Sequence, residues 1–570
     1  MKLYLLFALA SLIGLYTFTK EHVPASELTA PKERPAVYCA PTYDPTKIDG
    51  DAPLLKGLGN IQYPVTTISK KAQEYFNQGL ALTYGFNHSE AARSFKTAIK
   101  NDPSFAMGYW GLAMVWGPNY NAALNPTSLA DINNAIDSAV KYAKHASPNE
   151  KALIYAMRKR FPVTEHKDMT PYYEWYANAM KQAHEQFPAD VDIATLYADA
   201  LMNLHPWNLW LKDGTAQPWT PEILALLEKI LAKNPSHPGA MHYYIHATEA
   251  SKQAEKALPY ADRLRDAMPA AGHMVHMPSH TYIRTGDYHK AVVANEKAST
   301  GDSIYVAQCK AQGFYPLLLY PHNIHFLAAS AFLEGSSRKA LDAAWMVSRK
   351  ADRKFLNENL TVQHFYIIPY YVLVHLGKWD DILQLRHPGE QLKYPAAIWH
   401  YARGMAQVGK GNLAAAATEL TALKAFAGDD AMKSMLIWDM NSAHDLINIA
   451  ANVLEGEMLS YRKKYAEGKA KFYNAIAIED RLMYNEPPDW FFSVRHTLGH
   501  WLVTAGEYAE AEKVYRDDLE TFKENGWALI GLYNSLKGQN KNDEAIQVKK
   551  RFDKAWQYAD VVITSSRKFR

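Results

Sequence analysis

The chain has 570 residues, a formal net charge of +3 and only two cysteines, Cys39 and Cys309. That length holds several ordinary domains or one long repeat array. The near balance of acid and base excludes a dedicated nucleic-acid surface, which needs clustered positive charge, and two cysteines exclude a disulfide framework. An oxidising compartment would let Cys39 and Cys309 pair; two free thiols fit the sequence equally well.

The first element is an apolar stretch from Leu3 to about Phe18, preceded by Lys2 and ended by Lys20 and Glu21. A short basic start with a core of this length reads as a secretory signal peptide over residues 1–20, so the protein is expected to be periplasmic or secreted. The run is shorter than the ~20 residues of a comfortable membrane helix, so no membrane span is expected in the mature chain. Residues 21–68 are rich in Pro, Thr and charge without periodicity, which predicts an extended N-terminal arm.

From residue 69 to 570 one shape recurs: an apolar helix, a Gly-polar-aromatic turn and an Ala-rich helix. Gly286-Asp287-Tyr288 leads to Ala291, Gly377-Lys378-Trp379 to Ile382, Gly411-Asn412-Leu413 to Ala416, and Gly506-Glu507-Tyr508 to Ala511. Near the start, Phe86-Asn87-His88-Ser89-Glu90-Ala91 fills the same place. Gly permits the tight turn, Ala lets helices approach closely, and Pro103, Pro188 and Pro235 stop second helices. Gly377 to Gly411 is 34 residues, as is Lys252 to Gly286. No run of alternating β-branched residues predicts a sheet.

This period and turn chemistry resemble those of tetratricopeptide (TPR) repeat proteins. The segments Tyr84 to Phe95 and Asn485 to Trp490 resemble bacterial exported TPR proteins of unassigned function. The resemblance implies an all-α fold, a TPR-type helical-hairpin solenoid wound as a right-handed superhelix, with a protein or peptide in its concave groove. Spacings of 49 residues from Gly286 to Gly335, and 42 from there to Gly377, depart from a regular array and predict irregular insertions.

In TPR repeats the residues thirteen, ten and six before the turn glycine face the concave surface. Before Gly286 these are His273, His276 and His280; before Gly335, His322, His325 and Ala329; before Gly377, His364, Ile367 and Tyr371. Before Gly506 they are Ser493, His496 and His500, and Lys252 as an anchor gives Gly239, His242 and His246. Only the Gly411 repeat has none, with Ile398, Tyr401 and Met405. Ten of these eighteen positions are His, where 22 His in 570 residues would place fewer than one.

Spacing of three or four puts two imidazoles on one helix face, and stacked first helices lie ~8–10 Å apart, so neighbouring repeats can converge on one ion. The candidate metal ligands are His242, His246, His273, His276, His280, His322 and His325. Glu249, one turn after His246, could add an oxygen or orient a ring. Nitrogen ligands favour zinc, copper or iron over calcium or magnesium. His88, His289, His375 and His444 read as packing or hydrogen-bonding residues, and His496 and His500 as a second site or as distant members of the first. The insertion from Asn203 to Thr220, with Trp207, Trp210 and Trp219, is a candidate lid or a packed surface loop.

No nucleotide is expected. Gly404 to Lys410 resembles the start of a phosphate loop, but Gly411 stands where Ser or Thr would hold magnesium, and no strand precedes it. His184-Glu185 lacks the second His of a zinc-protease signature, and no Gly-x-Ser-x-Gly turn occurs. Three functions stay open: an exported binding scaffold with a histidine-lined concave surface, a metal-dependent enzyme inside the solenoid, or a metal-free interaction scaffold.

Overall fold

The computed structural model of the chain describes residues 50–311 and 313–568. The expected signal peptide, most of the arm, and Cys39 lie outside them; Cys309 is buried and free. The fold is an all-α solenoid of helical hairpins. Helices Pro278–Thr285 and Tyr288–Cys309, Tyr320–Leu333 and Ser337–Lys350, Leu360–His375 and Trp379–Leu383, and Lys393–Gly409 and Leu413–Ala427 are successive hairpins. Among the described residues the strands are Leu436–Ile437 and Asn441–Ser442, one small antiparallel pair.

The turns form where the sequence places them. Gly286, Gly335, Gly377, Gly411 and Gly506 all have φ between +65° and +86°, a region that costs any side chain with a Cβ. Helices end at Asn101, Gln186 and Lys233, just before Pro103, Pro188 and Pro235. The phosphate-loop look-alike falls inside helix Lys393–Gly409.

Residues 50–68 run without helix along the first repeats. Leu55 N donates to Gln78 Oε1 at 2.8 Å, and Ala270 N donates to the carbonyl of Gly57 at 3.0 Å. The apolar interior falls into two bodies, one from Leu58 to Ala291 and one from Ile283 to Ile563. They overlap between Ile283 and Ala291, immediately after His280. No helix among the described residues is long and apolar enough to cross a membrane.

Candidate metal centre

Helix Pro238–Thr248 carries His242 and His246 one turn apart. The next first helix is split by Pro278 into Gly272–His276 and Pro278–Thr285, because proline has no N–H to continue the ladder. It carries His273, His276 and His280. A π-helical turn, Tyr315–Leu319, opens helix Tyr320–Leu333 and sets His322; such turns recur at functional sites.

Six of the seven candidate histidines meet. His242, His246 and His273 form one group and His276, His280 and His322 another, each with ligand atoms within 4.8 Å of one another. All but His322 are at most 2 % exposed. His325 joins neither: it stacks on Phe491 with ring centres 5.2 Å apart and lies 5.6 Å from His364. Glu249 is placed as expected, against His246 and His280.

The tautomers follow from the partners. His242 Nδ1 is 2.6 Å from the carbonyl oxygen of Tyr84, which only accepts, so Nδ1 carries the proton. That carbonyl comes close because Gly239 sits against the Tyr84 ring; a Cβ there would lie 2.4 Å from it. His246 Nδ1 donates to Glu249 Oε1 at 2.9 Å. His276 Nδ1 donates to Asn295 Oδ1 at 2.7 Å, and the amide orientation is set by Asn295 Nδ2 donating to the carbonyl of Ala291. His280 Nδ1 faces both Glu249 Oε2 at 2.5 Å and Glu486 Oε2 at 3.0 Å.

His242 and His246 therefore each turn an Nε2 with a free lone pair inward, and His276 and His280 turn their Nε2 atoms toward each other. Nε2 of His242 and His246, both nitrogens of His273, and Nδ1 of His322 have no hydrogen-bond partner. His276 Nε2 and His280 Nε2 stand 3.0 Å apart, so without an ion one proton must lie between them. Burial opposes charge on His280, but Glu249 and Glu486 overcome it and push His280 up. Glu249 is held below the usual carboxylate range, again against burial, by His280 and His246. Burial, reinforced by neighbouring imidazoles, holds His242, His273, His276 and His322 well below their ordinary values, keeping them neutral as ligands must be.

The histidines do not line an open groove. His246, His280 and His322 line a cavity of about 1140 Å³ and connect it to the rest of the cluster. Aromatic rings stand in its wall beside them: Phe86 packs on His242 at 4.5 Å, Trp207 on His246 at 5.6 Å and Trp438 on His322 at 6.0 Å. All three hold positive φ (52°, 57° and 51°), which is costly for a bulky residue and clusters at functional sites. The insertion after Asn203 is packed, as one of the two expectations had it, and also reaches the cavity. Trp210 Nε1 is packed onto the carbonyl of Ala247 at 2.8 Å, and Trp207 walls the cavity.

The other histidines stay apart. His289 Nδ1 donates to Glu334 Oε2 at 3.0 Å, His444 lies by Asn448, and His88 meets Asn119 on the cavity wall. His496 pairs with Asp518 and lies 5.8 Å from His375, away from the centre. Glu486, Asn295 and the Tyr84 carbonyl were not among the candidates; Glu486 is 206 residues from the ring it holds.

No protein-family model matches the chain, and no curated protein matches it in sequence. Among solved structures, the chain is similar to a human IFIT1 dimer with m7Gppp-AAAA, at 13% identity over 86% of this chain and 91% of that one, TM-score 0.30. It is also similar to the APC/C Cut9–Hcn1 hetero-tetramer (14%, 86% and 74%, TM-score 0.28) and to yeast Tom70 (12%, 86% and 93%, TM-score 0.25). These overlays are loose and carry nothing about activity; the fold itself, a TPR-type α-helical solenoid, is what the chain's own hairpins and left-handed turn glycines display.

Proposed function

We propose that this protein is a transition-metal protein whose buried histidine centre acts on a small polar molecule in the adjoining cavity. One observation carries this: four imidazoles have Nδ1 fixed by an acceptor and Nε2 turned inward, the arrangement by which proteins orient metal-binding histidines. Leaving a buried polar atom unpaired costs ~1–3 kcal/mol, and the unpartnered nitrogens gathered here are satisfied together by metal. Zinc, copper and iron suit such a donor set. When bound, the metal supplies Lewis acidity or an activated water.

The chain's own residues shape what reaches it. Tyr120, Trp207 and Trp438 offer flat apolar faces, while Gln363 Oε1 and Asn121 Oδ1 are polar atoms without partners. Among the described residues no Lys or Arg lines the cavity, while Glu358 and Asp439 do, so recognition runs through stacking, amides and these two carboxylates rather than through a cationic clamp. An uncharged or cationic polar molecule fits that lining. A metal-free peptide groove fits less well, because the imidazoles are buried rather than displayed. Export accompanies this reading, supported by Lys2 and the apolar run after it; a full-length chain retained in the cytoplasm on fractionation would contradict it.

The test is elemental analysis of untagged protein beside a His276→Ala/His280→Ala variant. Transition metal retained through gel filtration by the first and lost by the second, with unchanged circular dichroism, is expected. Absence of metal in both, even after incubation with zinc, copper and iron salts, would sink the proposal.

A further inference from the structure

We infer that the centre holds two metal ions, one in each histidine triad, the second triad being the first repeated one solenoid unit along the chain. The inference rests on the metal reading above and adds its nuclearity.

The sequence interval is the first support. His242 to His276 is 34 residues, and so is His246 to His280. This is the hairpin period. The third members, His273 and His322, are 49 residues apart, as are the turn glycines Gly286 and Gly335 that close their repeats. Each triad is therefore built alike. One repeat supplies the residues ten and six before its turn, and the following repeat supplies the residue thirteen before its own.

The surroundings repeat as well. Phe86 lies 4.5, 6.0 and 5.7 Å from the rings of His242, His246 and His273. Phe326 lies 4.8, 4.7 and 5.4 Å from those of His276, His280 and His322. Each triad thus has its own apolar cap, and each reaches the cavity: the first through His246, the second through His280 and His322.

The next unit shows what a triad needs. His325 and His364 occupy the corresponding positions ten and thirteen and lie 5.6 Å apart, but the position six before the turn is Ala329. The pair has no third imidazole within ligand distance, and His325 turns onto Phe491 instead.

Three imidazoles with an open position make a complete catalytic site for one ion, so six are in excess of what a single tetrahedral ion takes. The triads are neighbours, with His246 and His280 ring centres 5.8 Å apart. Glu249 joins them, one carboxylate oxygen on His246 Nδ1 and the other on His280 Nδ1. Bound in the two triads, a pair of ions would supply Lewis acidity from neighbouring positions facing one cavity.

The experiment is equilibrium dialysis of the full-length protein against Cu(II) alone, with metal counted per chain and the bound copper examined by electron paramagnetic resonance. Wild type is expected to take two equivalents whose signal is weakened by magnetic coupling. His273→Ala and His322→Ala should each keep one equivalent, now with full signal. One equivalent in wild type would overturn the two-ion inference and leave the metal reading standing, whereas none would end both. Two equivalents that survive both substitutions, or loss of both from either single variant with circular dichroism unchanged, would also overturn it. Should the variants fail to fold, the stoichiometry and coupling of wild type decide alone.

Discussion

Two groups of buried histidine lie on first helices of the same kind of hairpin, and their chemistry differs. In the repeats from residue 238 to 333, Nδ1 atoms are held by a carbonyl, an amide and carboxylates, while Nε2 of His242 and His246 has no partner and those of His276 and His280 meet only each other. In the C-terminal repeats, His496 Nε2 is consumed by Asp518 at 2.9 Å, and His375 is enclosed by Phe332, Phe492 and Trp527 with ring centres 4.7, 4.7 and 4.8 Å away. Register puts an imidazole on the inner face; what holds its other nitrogen decides whether it can be a ligand.

Acid gives the largest separation between fixed and unfixed rings. Burial alone holds His364 at about 3, whereas an unfolded chain protonates near the ordinary value. A depressed histidine contributes stability that is present above the unfolded value of 6.5 and is lost as pH falls toward 3. For His364 this amounts to on the order of 5 kcal/mol across the whole window. Melting temperature should fall steeply between pH 6.5 and 4.5 and less so in His364→Gln; equal slopes would contradict the assignment.

Next comes His496→Ala, which leaves the Asp518 carboxylate buried without its imidazole. A loss of about 3–5 kcal/mol in urea unfolding is expected, with metal content unchanged. Metal loss in this variant would erase the distinction between the two regions. Glu249→Gln is the converse test: it weakens the hold on His246 and His280 and should lower metal affinity ~10–100-fold in a competition titration. An unaltered affinity would remove Glu249 from the centre. The smallest effect belongs to His500→Ala. This half-buried ring packs beside Trp501, and its loss should alter stability by no more than ~0.5 kcal/mol and leave metal binding alone.

The hairpins were legible because their signals are local. A left-handed turn at Gly286 or Gly506 needs glycine whatever surrounds it, and an interval of 34 residues needs no partner to be seen. The histidine cluster was legible for the same reason, since one helical turn separates His242 from His246 and the repeat register aligns them with His276 and His280. His325 stands outside both groups, and register alone cannot show that, because it does not show that Ala329 withholds a third ring. Glu486 and Asn295 reach the site only through the fold: Glu486 is carried by the loop before Trp490, within a segment singled out for other reasons, and Asn295 sits on a second helix. The irregular spacing and the insertion carrying Trp207 pointed to a pocket, whereas Trp438 arrives in the short turn between strands Leu436–Ile437 and Asn441–Ser442, which period-based reasoning leaves blank.

The most direct measurement is anomalous diffraction from crystals of the full-length protein equilibrated with one transition metal, collected at that metal's absorption edge. The account predicts a peak inside each triad, ~2.0–2.1 Å from the nitrogens of His242, His246 and His273 and from those of His276, His280 and His322. Anomalous density confined to surface carboxylates, or none at all with these imidazoles well ordered, would contradict it.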